Sequence, residues 1–220
     1  MLPDWVPPVA LQMSRGLLVT GQIAAVAIVG SCVLGFGLGL LLTLKVGVLR
    51  VLIGAYIELW RGLPVIVTLF FLFFGLPAVG IRLSPIIASE MAITLWGSAN
   101  LAVLVRGSVE SIPRGQFEAA AAVGFNWVMR MRYIILPQAL RRLLPPSLNI
   151  IVILVQLTTI ATLLGVHDFL GVARQSIERL TLTTGNTHAI PILGAVLLVF
   201  GLVSNTLNAL SHRLERRLRV

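Results

Sequence analysis

The chain has 220 residues, is 57% apolar and only 11% charged, and carries a formal net charge of +9. A soluble domain of ordinary composition carries about a quarter charged residues, so these figures, with a mean hydropathy of +0.98, exclude a soluble enzyme and describe an integral membrane protein. The single cysteine, Cys32, excludes a disulfide framework or a cysteine-based metal site, and its apolar neighbours predict a packing role.

Gly16 to Leu44 runs for 29 residues without a charge, more than the ~20 needed to cross a bilayer core as helix. It is too long for a signal-peptide core and lacks a basic leader, with Asp4 the first charge and Arg15 the only basic residue before it, so this start is expected to be retained. Gly30, Gly35, Gly37 and Gly39 cluster in this span. They are followed by Leu40-Leu41-Leu42 rather than Gly-Lys-Ser/Thr, which predicts close helix packing instead of a phosphate loop. A second span, about 52–76, carries Glu58 and Arg61, an expected ion pair, and the run Phe70-Phe71-Leu72-Phe73-Phe74; Pro64 should bend it. The third, about 86–106, contains Glu90 near the end expected to reach headgroups.

Glu118-Ala119-Ala120-Ala121-Ala122-Val123-Gly124 comes next. Ala and Glu favour helix while Gly124 ends or turns one, and a smooth alanine face suits the groove of another protein. Nine residues later Ile134-Ile135-Leu136-Pro137 follows, with Pro137 announcing the next helix. A fourth span covers about 143–166 and a fifth about 190–210. No linker or low-complexity segment interrupts the chain. Residues 1–220 read as one all-α membrane domain with five transmembrane helices and a long loop, about 114–137, between the third and fourth.

Basic loops stay cytoplasmic. With the N-terminus outside, the inner segments hold Lys45, Arg50, Arg106, Arg114, Arg130, Arg132, Arg141, Arg142, Arg213, Arg216, Arg217 and Arg219, against Arg15, Arg82, Arg174 and Arg179 outside, twelve to four. That bias places the C-terminus and the alanine-rich loop in the cytoplasm. The basic residues flank spans instead of forming a groove, so lipid headgroups account for them and a nucleic-acid partner is not expected. No metal site is expected. His167-Asp168 is the one adjacent His and acid, without a third ligand or nucleophile nearby, and a loop or helix-cap role is weighed above chemistry.

The spacing Glu-Ala-Ala-x3-Gly-x9-Ile-x-Leu-Pro resembles the EAA loop of permease subunits in ATP-binding-cassette importers. Tyr56-Ile57-Glu58-Leu59-Trp60-Arg61-Gly62-Leu63-Pro64 with Gly75-Leu76-Pro77 is similar to a segment of the polar amino-acid uptake permeases, with Leu63 where Thr is usual. Arg106-Gly107, Ser111-Ile112-Pro113, Gly115-Gln116, Leu136-Pro137-Gln138-Ala139-Leu140-Arg141, Leu144-Pro145-Pro146, Asn149 and Leu214-Glu215-Arg216-Arg217-Leu218 extend the resemblance over about residues 14–220. It implies a type I importer permease fold in a bacterial inner membrane, with a periplasmic N-terminus and a cytoplasmic C-terminus. The implied partners are an ATPase dimer, a second permease subunit and a periplasmic or lipid-anchored amino-acid-binding protein. No cofactor is expected in this chain, since ATP and Mg would be bound by the partner ATPase. Glu118, Ala119, Ala120, Gly124, Phe125 and Asn126 would form the ATPase-coupling surface, with Glu118 beginning the coupling helix, where a carboxylate favours the N-terminal dipole.

The sequence departs from its relatives where some bind substrate within the membrane. The Lys-Asp-Thr-Ser stretch reads Gln156-Leu157-Thr158-Thr159 here, and Val103 replaces an acid, so both aligned acidic positions are apolar. A zwitterion in a low-dielectric pocket needs its charges paired. Asn100, Gln156, Thr158 and Thr159 remain as pathway candidates able to hydrogen-bond but not to neutralise an ammonium. The expected arrangement is the substrate-poor half of a heterodimer. A homodimer with a less charged substrate, or Glu58 and Glu90 supplying the charge, stands beside it. A secondary transporter or channel subunit and a membrane enzyme using His167, Asp168 and His188 are the competing classes.

Overall fold

The computed structural model describes residues 3–44 and 46–218; Lys45 and Arg219, both counted in the charge bias, lie outside the described residues. Among the described residues the chain is helical, without strands. Helix α1 spans Val6–Thr43, starting well before the charge-free run because Pro7 and Pro8 sit in the first turn, where helical N–H groups have no partner to lose. At 1.5 Å per residue its 38 residues extend about 57 Å, nearly twice a hydrocarbon core.

Helix α2 (Gly47–Gly62) stops where Leu63 and Pro64 turn extended, and α3 (Val65–Phe70) restarts beyond them. The two segments are bent by 102° at that break. Proline removes a donor and its ring excludes helical backbone just before it, so the bend expected at Pro64 is present. A π turn, Phe71–Gly75, and a 3-10 turn, Leu76–Val79, complete the segment. Helix α4 covers Pro85–Glu110 and α5 Arg114–Ala122. A short α6 (Trp127–Met129), a π turn (Arg130–Ile135), α7 (Leu136–Leu157) and a 3-10 turn (Thr158–Leu164) then follow one another. Helices α8 (Phe169–Thr184) and α9 (Ala189–Arg217) close the chain.

Four helical segments are long and apolar enough to cross a membrane, or five with the bent α2–α3 pair. The helices run past the spans read from charge-free runs. The helical path that holds the fourth starts at Trp127, since Arg130, Arg132, Arg141 and Arg142 continue a helix beyond its apolar stretch. The fifth continues to Arg217, and α8 carries no apolar run that would have marked it.

Both π turns precede Leu-Pro. Leu76 donates its N–H to Phe71 O and Leu136 to Met131 O, each five residues back. Prolines 77 and 137 have no N–H to give, and the widened turn before them changes which carbonyls need a donor. Pro137 therefore sits inside a continuing helical path that has already started at Trp127.

The described residues fall into two compact units. The first draws on Met1–Ile28, Pro64–Thr94 and Val152–Thr206. Its core joins Val9 and Met13 of α1, Phe169, Val172 and Ala173 of α8, and Ile192 and Val196 of α9. Gly16 permits this approach: a Cβ there would lie 2.9 Å from Asp168 O. Thr20 Oγ1 accepts the N–H of Phe169 at 3.0 Å in the same buried place.

The second unit draws on Val29–Leu63, Leu95–Ile151 and Leu207–Val220. One cluster gathers Leu42, Ile53, Ile57, Ala99 and Ala102, and another Val109, Ile112, Met131, Ile135 and Ala139. Gly35 and Gly39 are the points of closest approach between α1 and α4. A Cβ on Gly35 would meet Leu101 Cβ at 2.6 Å, and one on Gly39 would meet Val105 Cβ at 2.5 Å, while Gly37 faces open space. Close packing at small residues was the reading of this cluster, and Gly35 and Gly39 carry it. Cys32 is exposed instead of packed, beside Val33 on the outer side of α1; apolar exposure on a span needs no internal partner. Ser211 of α9, buried, donates to Pro145 O at 3.0 Å.

Candidate functional site

The loop between α4 and α7 lies in the second unit. Pro113, with φ −55° and ψ 137°, sets the start of α5, and Arg114 is its first residue. Glu118 is therefore one turn inside α5, not at its N-terminus, and no acid occupies the first turn. Proline fixes the entry and has no N–H requiring a cap, which moves the start ahead of the Glu-Ala run.

Ala120 packs inward, whereas Glu118, Ala119 and Ala121 are exposed. Gly124 has φ +83°, a conformation costly to any residue with a Cβ. It ends α5 in a left-handed turn, with Phe125 N–H returning to Ala120 O at 3.1 Å and Gly124 N–H to Ala121 O at 3.0 Å. This is the glycine-centred helix stop that frees the chain to reverse. Asn126 then caps α6, its Oδ1 accepting Met129 N–H at 2.9 Å. The turn presents Val123 (71% exposed), Trp127, Val128 and Met129 to the surroundings, an apolar patch left uncovered among the described residues. Arg142 braces the approach: its Nη1 donates to Ser111 O at 2.6 Å.

The pathway candidates divide between the units. In the second, Asn100 Oδ1 accepts Arg61 Nε at 3.2 Å, while Asn100 Nδ2 donates to Trp96 O at 2.8 Å. Arg61 thus takes Asn100 rather than Glu58, which is exposed. Beside them Tyr56 and Ser98 share a hydroxyl contact of 2.6 Å. In the first unit, Thr158 is fully buried with its hydroxyl on Val155 O at 2.7 Å. Thr159 bonds Gln156 O at 2.8 Å, and the exposed Gln156 Nε2 donates to Ser204 Oγ at 3.2 Å. Of these three side chains, Gln156 is exposed and Thr159 half-buried. Ser204 and Arg61 stand beside these candidates as their hydrogen-bond partners; Arg61 is legible in the sequence as a charge in a span, whereas Ser204 has no sequence mark. Glu90, near the start of α4, is half-buried.

Asp168 caps α8. Its Oδ1 accepts Thr162 Oγ1 at 2.6 Å and Gly171 N–H at 3.1 Å, and burial pushes its carboxyl up from the ordinary carboxylate range while those bonds pull the other way. His188 stacks on Trp5 with ring centroids 4.7 Å apart. The cap role weighed for Asp168 is the one its geometry performs.

Apolar helices long enough to span a bilayer, with polar side chains held between them, define a multi-pass helical membrane protein. The family model for binding-protein-dependent transport system inner membrane components matches residues 33–220, and the chain belongs to that family. It is 33% identical over 206 residues to the probable glutamine ABC transporter permease protein GlnP of Bacillus subtilis, covering 92% of this chain and 91% of that protein. It is 31% identical over 221 residues to the glutamine transport system permease protein GlnP of Escherichia coli, covering 99% and 98%. Its fold matches a chain in the crystal structure of an amino acid ABC transporter with histidines, with a TM-score of 0.84 at 24% identity, over 99% of this chain and 100% of that one.

Proposed function

We propose that this chain is the transmembrane subunit of an ATP-driven amino-acid importer in a bacterial inner membrane, with its N-terminus periplasmic and its C-terminus cytoplasmic. The observation that carries the reading is the family match over residues 33–220 together with amino-acid permeases as relatives over nearly the whole chain. Residues 114–137 form the coupling element. Glu118, Ala119, Gly124 and Asn126, with the exposed Val123, Trp127 and Val128, present a turn to the groove of a separate ATPase, which binds ATP and Mg and performs the hydrolysis. Ala120 and Phe125 support that turn from within. ATPase closure then moves the spans between inward and outward states, and a binding protein delivers the amino acid.

The chain is the substrate-poor half of a heterodimer. Val103 and Leu157 are apolar where the resemblance implies acids in members that bind substrate within the membrane, and Thr158 is turned inward; Asn100 in one unit and Gln156 and Thr159 in the other are the polar groups left to this chain, and side-chain recognition comes from a sister permease. A pull-down of tagged protein from gentle detergent, with mass spectrometry and a Gly124→Asp repeat, tests both parts. An ATPase and a non-identical permease are expected, with the ATPase lost in the variant. An ATPase with this permease alone retains the importer and refutes the heterodimer. No ATPase, under conditions that preserve a known importer, points to a secondary transporter.

A further inference from the structure

Arg61 presents a charge problem that its surroundings leave half solved. It ends the first half of a broken apolar span, and Asn100, its partner, lies well inside α4. Its side chain is exposed on this chain, and within a span a guanidinium faces a cavity or a partner rather than lipid. Arg61 meets a neutral amide instead: Nε donates to Asn100 Oδ1 at 3.2 Å. Among the described residues Nη1 and Nη2 have no hydrogen-bond partner, and the ion pairs present are Arg106–Glu110 and His212–Glu215. Glu58, the nearest acid in sequence, does not pair with it, and Val103 on α4 has no charge to offer.

The hold on Nε is itself fixed. Asn100 Nδ2 is committed to Trp96 O at 2.8 Å, which assigns Oδ1 to face the arginine. The guanidinium is therefore tethered by one edge, and the two Nη groups form a free, planar fork. Such a fork matches a carboxylate in bidentate fashion, and its charge-assisted bonds are about twice as strong as neutral ones.

We propose that Arg61, oriented by Asn100, binds the α-carboxylate of the transported amino acid. The inference rests on the importer reading and sharpens it: this half of the pathway holds the group common to all amino acids, while the sister subunit reads what differs between them. A positively charged clamp also explains how a chain without acids at positions 103 and 157 contributes to the pathway.

The test begins with import of radiolabelled standard L-amino acids, one at a time, by the reconstituted complex with its binding protein. The imported amino acid is then used for equilibrium binding to the purified permease–ATPase complex without the binding protein, in competition with its unlabelled acid and its α-amide. The wild-type complex is expected to bind the acid and to be displaced at least about tenfold more weakly by the amide. Arg61→Gln should weaken acid binding by about tenfold or more and abolish the discrimination between acid and amide, with Arg61→Lys between the two, since a lysine retains the charge but not the fork. Wild-type binding by Arg61→Gln, equal competition by the amide, or no binding to a complex that imports the amino acid would overturn the clamp and leave the importer standing. Loss of the sister permease from purified Arg61→Gln would overturn it too, by showing an inter-subunit ion pair; the acid-against-amide comparison on the wild-type complex is independent of any variant. If no amino acid is imported, the importer reading itself fails, and the clamp with it.

Discussion

Replacing Gly39 by alanine tests whether α1 and α4 meet at their backbones. The added Cβ would lie 2.5 Å from Val105 Cβ and 2.8 Å from Ala102 O. Carbon atoms pack at about 3.5–4.0 Å, so the helices must part locally by about 1 Å or more, and a backbone oxygen cannot swing aside as a long side chain would. Overpacking of this kind costs about 1–3 kcal/mol, which at about 2–4 °C per kcal/mol for a chain of this size lowers the apparent Tm by about 2–12 °C. Gly35→Ala meets Leu101 Cβ at 2.6 Å and Ser98 O at 2.9 Å, and should behave alike. One separation of the helices relieves both clashes, so the double variant should cost less than the sum. Gly37→Ala, which meets nothing within 4 Å, should be neutral or gain about 0.5–1 kcal/mol of helix preference. The assay is loss of the monodisperse peak on heating in detergent, followed by size-exclusion chromatography. Equal melting of Gly39→Ala and wild type, or equal damage from Gly37→Ala, would refute the close approach.

Asp168→Ala removes the α8 cap and should cost about 0.5–2 kcal/mol, whereas Asp168→Asn keeps an acceptor for Gly171 and Thr162. Because burial raises the folded carboxyl above its ordinary range, its favourable contribution is complete below that range and declines as pH rises through the raised folded value; Tm measured from about pH 4 to 8 should show that decline in wild type and not in Asp168→Asn. Asn126→Ala deletes the bond to Met129 N–H, and amide exchange at Trp127 to Met129 should accelerate while α4 is unaffected. Ser211→Ala leaves Pro145 O, buried and without its hydroxyl donor, at a cost of about 1–3 kcal/mol, readable as a lower Tm.

Much of this was legible in the residues. Pro64 announced the break between α2 and α3, and the glycines of α1 announced close packing, because backbone geometry at those residues depends little on distant context. Span edges were less legible: charge-free runs measure where charges stop, whereas Arg15, Arg130 and Arg141 continue their helices with exposed or half-buried side chains. Glu118 was read as a helix start because acids favour that end, but Pro113 enforces an earlier one. The Arg61–Asn100 pair joins residues 39 apart in sequence, and no local pattern could choose Asn100 over Glu58.

The π turn at Arg130–Ile135 gives the interval between Gly124 and Leu136-Pro137 another meaning. In an α-helix each residue advances the side chain by about 100°, so one residue accommodated in a widened turn rotates everything before it about the helix axis while adding little length. The number of residues between the glycine and the proline thus sets an azimuth. Removing one residue from 130–135 would leave Trp127 and Val128 at nearly the same height on the α7 axis but facing another direction, like a key cut correctly and turned in the hand.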